Sequence, residues 1–133
     1  MTPLFYMGVY KDQFLAKLNI DALQKFYSDS PILCITDGTT DDTFSQFCAE
    51  RGVRYIEGER LKLPQFAGQW TGRFLQLFLQ TDAPLVIKVD PDTHINWAVE
   101  QFPTASVFAG FRYYPSGKRI LNGPAIGIRF PEG

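Results

Sequence analysis

The sequence predicts an α/β fold, a three-layer α/β/α arrangement with a mostly parallel sheet and a C-terminal β-hairpin. Two observations support this prediction. Short apolar segments of strand length alternate with longer segments whose apolar residues recur at helical spacing, which is typical of a parallel sheet covered by helices. Near the C-terminus, two strand-like segments, residues 106–114 and 119–129, instead flank Pro115-Ser116-Gly117-Lys118, a composition that favours a hairpin turn.

Four segments are predicted to be parallel strands, because each is short, apolar and bounded by residues that favour turns. They are residues 4–9, 31–36, 53–56 and 85–89. The last of these reads Leu-Val-Ile-Lys-Val and is apolar enough to be central in the sheet.

Three segments between these strands are predicted to be helices. The first covers residues 12–27, the second begins in the turn at 37–42 and ends at Gly52, and the third covers about 66–80. The apolar faces predicted for them are Phe14, Leu15, Leu18, Leu23 and Phe26; then Phe44, Phe47 and Cys48; then Trp70, Phe74, Leu77 and Phe78. A short helix is also predicted at residues 97–102.

Length and charge restrict the class of protein. The 133 residues fit one domain, 1–133, without an internal repeat or a linker. The formal net charge is −1, and the densest basic spots are only Lys118-Arg119 and the pair Arg60 and Lys62. A protein that binds nucleic acid through its phosphates needs more positive charge than this, so no nucleic-acid partner is expected.

The sequence gives no sign of a membrane span or a secretory leader. No apolar stretch approaches the roughly 20 residues that cross a bilayer, and the N-terminus lacks a basic lead. Cys34 and Cys48 lie on a predicted strand and a predicted helix face, so they are expected to be buried free thiols. A cytoplasmic location follows as the expectation.

Polar residues follow three of the predicted strands. Residues 10–12 follow the first, Asp37 and Gly38 the second, and Asp90-Pro91-Asp92 the fourth. In open parallel sheets, ligands bind beyond the carboxyl ends of the strands, so these residues are expected to meet at one site.

Asp90 and Asp92 are the sharpest feature of this site. Two carboxylates two residues apart on an extended backbone point to the same side. Two like charges held close together are unfavourable unless a cation neutralises them. Hard ions such as Mn²⁺ or Mg²⁺ take oxygen ligands, and Mg²⁺ shares its shell between one or two carboxylates and substrate phosphates. Asp90 and Asp92 are therefore the candidate metal ligands, although a solvated capping turn would give the same pattern.

The remaining candidates surround this pair. Asp37 ends a strand, where its carboxylate can accept a hydrogen bond from a base N–H, whereas Asp41 and Asp42 are assigned to capping the next helix. The candidate nucleotide-binding residues are Tyr10, Asp37 and Arg73. The candidate substrate contacts are His94, Asn122 and Gly123. Each of these assignments has a purely structural alternative. Arg73 could form a surface salt bridge, His94 could form a local hydrogen bond, and Asn122-Gly123 could mark a bend in a strand.

These motifs, in this order, resemble the family 2 glycosyltransferases and their relatives with the GT-A fold. Residues 35–43 (ITDGTTDDT) resemble the family's motif after strand two, with Thr36 in place of its first Asp. Residues 68–79 resemble the stretch before the metal-binding strand, with Arg73 on its arginine. Residues 87–92 (IKVDPD) resemble the strand that ends in the metal-binding Asp-x-Asp, and residues 122–129 the glycine-rich strand beyond it.

The resemblance implies a glycosyltransferase that transfers sugar from a UDP- or GDP-linked donor to the hydroxyl of an unknown acceptor. It implies that Asp37 lies near the base and that Asp90 and Asp92 hold Mn²⁺ or Mg²⁺. No residue matches the family's catalytic base, so catalytic residues remain unassigned, and the acceptor half is expected to be missing or to be supplied by another chain. The alternative is a truncated, non-catalytic domain of the same fold that binds a nucleotide or nucleotide sugar, or that serves as a structural subunit.

Two other enzyme classes share parts of this pattern. Phosphatases of the haloacid dehalogenase type place Asp-x-Asp early in the chain, with a Lys and further acids long after it, whereas here the motif lies late. Sugar nucleotidylyltransferases need a loop rich in glycine and arginine after strand one. Tyr10-Lys11-Asp12 does not supply such a loop.

Overall fold

A computed structural model describes the backbone of residues 2–38, 41–60, 66–93, 95, 98, 101–102, 104–113 and 119–129. Within these ranges the side chains of residues 42, 66–71, 107–113 and 119–126 are not described. The elements, in chain order, are β1 (Leu4–Val9), α1 (Gln13–Phe26), β2 (Ile32–Asp37), α2 (Asp42–Glu50), β3 (Arg54–Gly58), α3 (Phe66–Gln80), β4 (Leu85–Val89), β5 (Val107–Tyr113) and β6 (Arg119–Arg129).

The strands form one six-stranded sheet in the order β3-β2-β1-β4-β6-β5. The first four strands are parallel to one another, and β6 pairs antiparallel with both β4 and β5. This confirms the predicted mostly parallel sheet with a C-terminal hairpin. It also confirms the interior position of β4, whose alternate residues Leu85, Ile87 and Val89 are buried on one face while Val86 is buried on the other.

Helices cover both faces of the sheet, as predicted for a three-layer fold. On one face, Met7 of β1 and Ile87 of β4 belong to a buried cluster with Ile20 of α1 and Cys48 of α2. On the other face, Tyr6 and Val86 pack with Phe74 of α3. Because successive side chains of a strand point to opposite faces, the neighbouring residues Tyr6 and Met7 pack into different hydrophobic clusters.

The predicted apolar face of α1 is confirmed at Leu23, which is buried, but it is wrong for the first half of the helix. Phe14, Leu15 and Leu18 are exposed, Phe14 by 72% of its surface. The helix instead buries a stripe that begins one to two residues later, and that stripe is Ala16, Asn19, Ile20 and Leu23. The reason is that α1 turns a polar residue, Asn19, toward the sheet, which a reading based on apolar spacing alone does not anticipate.

The other helices agree with their predicted patterns. Asp41 is the N-cap of α2, and its carboxylate accepts a hydrogen bond from the Phe44 N–H at 3.0 Å. On α3, Phe74 is buried while Leu77 and Phe78 pack at the edge of the same cluster. The side chains of Trp70 and of Asp42 lie outside the described residues.

Two further expectations concern the short helix at residues 97–102 and the two cysteines. The helix predicted at 97–102 falls largely outside the described residues, and the described Ala98, Gln101 and Phe102 are not helical. Cys34 and Cys48 are buried free thiols, as predicted.

Among the described residues, none of the helices is both long and apolar enough to cross a bilayer.

Candidate functional site at the carboxyl edge of the sheet

Three of the predicted site residues lie at the carboxyl ends of adjacent parallel strands. Tyr10 directly follows β1, Asp37 is the last residue of β2, and Asp90 directly follows β4. Because β1 lies between β2 and β4, these three strand ends are side by side. On the far side of β2, Gly58 at the end of β3 is the register partner of Asp37.

Asp37 is paired with Arg60, an arginine that the sequence motifs do not indicate as a site residue. The Asp37 side chain is completely buried, at 0% exposure, and its Oδ2 accepts a hydrogen bond from Nη1 of Arg60. The Arg60 side chain is 44% exposed, and its guanidinium carbon lies 3.8 Å from the centroid of the Tyr10 ring. Arg60 comes two residues after β3, so the strand-end rule, applied to the third strand as well, would have found it.

A strained turn follows Tyr10. Lys11 has a φ of 57°, in the left-handed region that residues other than glycine seldom adopt. The Asp12 N–H donates to the Tyr10 carbonyl at 2.6 Å, which closes a turn of only three residues. Such strain persists where the surrounding structure determines the conformation.

The turn after β2 is also held by specific contacts. Gly38 has a φ of 86°, which favours glycine, and its N–H donates to the Gly58 carbonyl at 3.1 Å. The Thr36 hydroxyl donates to the Gly38 carbonyl at 2.8 Å. A Cβ at Gly38 would lie 3.5 Å from Cδ of Arg60, so the arginine stem passes directly beside this turn.

Asp90 is anchored through its backbone and paired through its side chain. Its carbonyl accepts from Nδ2 of the buried Asn19 at 3.0 Å and from the Thr93 N–H at 3.0 Å. Its Oδ1 accepts from Nζ of Lys88, two residues earlier on the same strand face. The Asp90 side chain remains 37% exposed, so a ligand arriving from solvent can reach it.

Asp92 is exposed in the turn that follows. Among the described residues, no three side chains of the His, Cys, Asp or Glu type are grouped so that they could hold a metal by themselves. The hard carboxylate oxygens of Asp90 and Asp92 nevertheless fit Mn²⁺ or Mg²⁺, provided that phosphate oxygens of a ligand complete the shell. In this structure the Lys88 ammonium donates to Oδ1 of Asp90, so a metal ion bound by Asp90 would compete with Lys88 for this carboxylate.

Arg73 lies beside the end of β3. Its Nη2 donates to the Glu59 carbonyl at 3.0 Å, and a Cβ at Gly58 would come within 3.2 Å of the same nitrogen. Burial raises the pKa of the neighbouring Tyr6 hydroxyl to about 12, and the positive charge of Arg73 opposes that rise. Arg73 therefore belongs to the same edge, next to the Asp37 end rather than in the Asp90 turn.

The remaining candidates fall partly outside the described residues. His94 is not among them. Asn122 and Gly123 lie in β6, and their backbone continues past Ala125, the register partner of Val89. Since β6 is antiparallel to β4, this continuation extends beyond the carboxyl end of β4. The backbone of Asn122 and Gly123 is thus at the predicted edge.

No protein-family model and no curated protein matches the chain. Solved structures do match. The galactosyltransferase LgtC, in complex with donor and acceptor sugar analogs, matches with a TM-score of 0.59 and 15% identity over 97% of this chain and 58% of its own. The mannosyltransferase PcManGT from Pyrobaculum calidifontis, in complex with GDP-Man and Mn²⁺, matches with a TM-score of 0.58 and 10% identity over 96% of this chain and 44% of its own.

A third structure extends the likeness beyond glycosyltransferases. The 4-diphosphocytidyl-2C-methyl-D-erythritol synthase matches with a TM-score of 0.58 and 9% identity, over 95% of this chain and 74% of its own. At such low identity these matches establish the fold. The chain has the GT-A-type fold, and it spans about half the length of the two transferases described above.

Proposed function

We propose that the chain is the donor-binding domain of a metal-dependent glycosyltransferase that uses a UDP- or GDP-linked sugar. The observation that carries this proposal is the alignment of Tyr10, Asp37 and Asp90 at the ends of three adjacent parallel strands. An aromatic ring and a buried carboxylate suit a nucleobase at one end of this row. An exposed carboxylate pair suits a cation and a diphosphate at the other end.

Each candidate then has a separate task. Tyr10 and Asp37 hold the base, Arg73 braces the Asp37 end or reaches the diphosphate, and Asp90 and Asp92 hold Mn²⁺ or Mg²⁺. The metal, when bound, neutralises the charge that develops on the leaving diphosphate. The further contacts to sugar or acceptor are His94, Asn122 and Gly123. Asn19 positions the Asp90 carbonyl, so the metal-binding turn is tied to α1.

The fold alone does not separate this proposal from other nucleotide chemistry, because the diphosphocytidyl synthase shares it. The loop after β1 argues for the donor-binding role. It is a three-residue turn, Tyr10-Lys11-Asp12, and lacks the glycine- and arginine-rich sequence that nucleotidylyl transfer requires there. The transferases PcManGT and LgtC, which have the same fold, were solved with a sugar donor or a donor analog.

The second candidate function is a non-catalytic domain that binds a nucleotide or nucleotide sugar, or that is a structural subunit. The observation that favours it is that side chains of this chain already pair with two of the three site carboxylates, Arg60 with Asp37 and Lys88 with Asp90. In this function the nucleotide still binds, but no sugar is transferred. Transfer and hydrolysis assays on a panel of UDP- and GDP-sugars with Mn²⁺ distinguish the two.

Thermal unfolding with GDP or UDP, with and without Mn²⁺, tests the binding step. We expect a nucleotide to raise the melting temperature only when the metal is present, and we expect Asp92→Ala to abolish this rise. Asp82→Ala is the matched control, because Asp82 is also an exposed aspartate but precedes β4 and lies at the opposite edge of the sheet. Equal shifts for wild type and Asp92→Ala would reject the metal site.

The cellular setting is part of the same proposal. Free, buried Cys34 and Cys48 are what a reducing compartment permits, which supports a cytoplasmic enzyme. The partners are then a nucleotide-sugar donor and an acceptor hydroxyl, without nucleic acid.

A further inference from the structure

We infer that the outer face of α1, formed by Phe14, Leu15 and Leu18, binds an anionic lipid surface. These three side chains are exposed, by 41% to 72% of their surface. Large apolar side chains that are grouped on the surface of a protein are typical of sites that bind a partner or a membrane. None of the three belongs to the proposed donor or metal site, so this inference goes beyond the proposed function.

The exposed apolar residues and a lysine form one stripe along α1. Phe14, Leu18 and Lys25 are separated by four and by seven residues, which are helical repeats, so they lie in line on one side of the helix. The opposite side packs on the sheet, with Ile20 and Leu23 buried. The stripe therefore faces away from the hydrophobic core, and Lys25 within it is exposed.

The charges around this face are mostly positive. Residues 11–26 contain three lysines and two aspartates, and these are Lys11, Lys17, Lys25, Asp12 and Asp21. Asp21 is neutralised by Nε of Arg51 at 2.9 Å, which leaves Asp12 against the three lysines. The whole chain has a formal net charge of −1, so this stretch differs in sign from the remainder of the protein. Its charge is complementary to that of anionic headgroups.

The size of this face favours a lipid surface over a protein partner. Its three side chains expose on the order of 300 Å² in total, whereas a stable protein interface buries about 800 Å² on each partner. A membrane can bind so small a face, because lipids rearrange around each apolar side chain while lysine stems extend to the headgroups. Each lysine close to an anionic membrane strengthens binding by roughly fivefold.

The exposed leucines of α3 lack this pattern of charge. Leu75 and Leu79 also point to solvent, Leu79 with 74% of its surface exposed. The sequence of α3 contains no lysine, and its single cation, Arg73, lies at the site edge. The first charged residue after the helix is negative, Asp82. We therefore expect α3 to bind anionic lipid less than α1 does, and it supplies a matched control.

The position of the face relates it to the candidate site. α1 starts at the carboxyl edge of the sheet, because Gln13 follows β1 after the short turn at Tyr10-Lys11-Asp12. The outer face lies within the first two turns of the helix. Binding to lipid through this face therefore holds the carboxyl edge of the sheet close to the membrane.

Flotation of the wild-type chain with lipid vesicles tests the inference and separates lipid binding from aggregation. One set of vesicles contains phosphatidylcholine only, and the other an equal mixture of phosphatidylcholine and phosphatidylglycerol. We expect binding to the mixed vesicles to be at least about tenfold tighter than to the neutral ones, and to weaken as salt is raised. Absence of binding to the mixed vesicles, or equal binding to both sets, would overturn the inference.

Variants test the face itself. The double variant Phe14→Ala/Leu18→Ala keeps good helix formers in α1 and should bind the mixed vesicles at least about tenfold more weakly. Lys25→Gln should bind them several-fold more weakly and leave binding to neutral vesicles unchanged. The control Leu75→Ala/Leu79→Ala should bind both sets as wild type does. A loss in the control as large as that in Phe14→Ala/Leu18→Ala would overturn the inference.

Two further measurements separate this inference from its alternatives. Analytical ultracentrifugation without lipid should show a monomer, and a dimer that Phe14→Ala/Leu18→Ala abolishes would assign the face to a second copy and overturn the inference. The Mn²⁺-dependent thermal shift with GDP or UDP should be the same in wild type and in this variant. A nucleotide shift without vesicle binding would leave the proposed function standing. Vesicle binding without a nucleotide shift would support the inference and count against the proposed function.

Discussion

Gly58 is the position at which one added methyl group should disturb the site edge most. A Cβ there would lie 2.5 Å from the Thr36 carbonyl oxygen and 3.2 Å from Nη2 of Arg73. The arginine can move aside, but Thr36 O belongs to the backbone of β2, which is paired in register with β3. We therefore expect Gly58→Ala to push β3 away from β2 at the level of Asp37.

The expected cost follows from these distances. Ordinary carbon-to-oxygen contacts lie at about 3.3 to 3.6 Å, so the two strands must separate by roughly 1 Å. Overpacking of this kind costs about 1 to 3 kcal/mol. Alanine recovers about 0.5 to 1 kcal/mol by restricting the unfolded chain. With the middle of each range, the net loss in free energy of unfolding should be about 1.2 kcal/mol, or roughly 4 °C in melting temperature.

Urea unfolding followed by intrinsic fluorescence, on wild type, Gly58→Ala and Gly72→Ala, measures this difference. Gly72 lies inside α3, and a Cβ there would meet nothing within 4 Å. Gly72→Ala should therefore raise the free energy of unfolding by about 0.5 to 1 kcal/mol, because glycine is a poor helix former. A Gly58→Ala variant as stable as wild type, or two variants that change stability in the same direction, would refute this prediction.

Three further predictions concern single polar groups. The Tyr6 hydroxyl is buried and has no hydrogen-bond partner among the described residues, so Tyr6→Phe should be no less stable than wild type at pH 7. Because burial raises the Tyr6 pKa to about 12, wild type should lose stability relative to Tyr6→Phe as the pH rises from about 10 to about 12. The loss in free energy of unfolding should be about 1 kcal/mol at pH 11. A difference in stability between the two proteins that does not change with pH would contradict this. Asn19→Ala removes the hydrogen bond to the Asp90 carbonyl, so it should lower the free energy of unfolding by about 1 kcal/mol and weaken Mn²⁺-dependent nucleotide binding. Urea unfolding curves identical to those of wild type would contradict this prediction. Hydrogen bonds from Thr43 and from the Phe44 N–H lower the pKa of Asp41, so Asp41→Ala should melt earlier than wild type at pH 7, and this gap should close as the pH falls through the lowered pKa.

The sequence by itself was sufficient for the architecture. The bounds predicted for β1, α3 and β4 are those that the structure has, at 4–9, 66–80 and 85–89. These elements were predictable because strand and helix periods are local properties of the apolar pattern, and because alternation of the two leads to parallel strands with helices on the faces. The placement of Tyr10, Asp37 and Asp90 at one edge follows from that topology alone.

The buried face of α1 was not predictable in the same way. Phe14 and Leu18 have the spacing of a core face, yet they point to solvent while Asn19 is buried. The polar amide is stable there because it donates to the Asp90 carbonyl, a residue 71 positions away. Local periodicity carries no information about a partner so distant in the chain.

The state of the site carboxylates was likewise decided by tertiary structure. Asp37 and Arg60 are 23 residues apart and meet only because β3 pairs with β2, while the ring of Tyr10 reaches Arg60 from the end of β1 on the other side. The sequence shows which strands are followed by acidic residues. The alternation of strands and helices along the chain then determines that these strand ends share one edge of the sheet. The sequence does not determine which cations neutralise those acids, because ion pairs form between side chains brought together by the sheet rather than by the sequence.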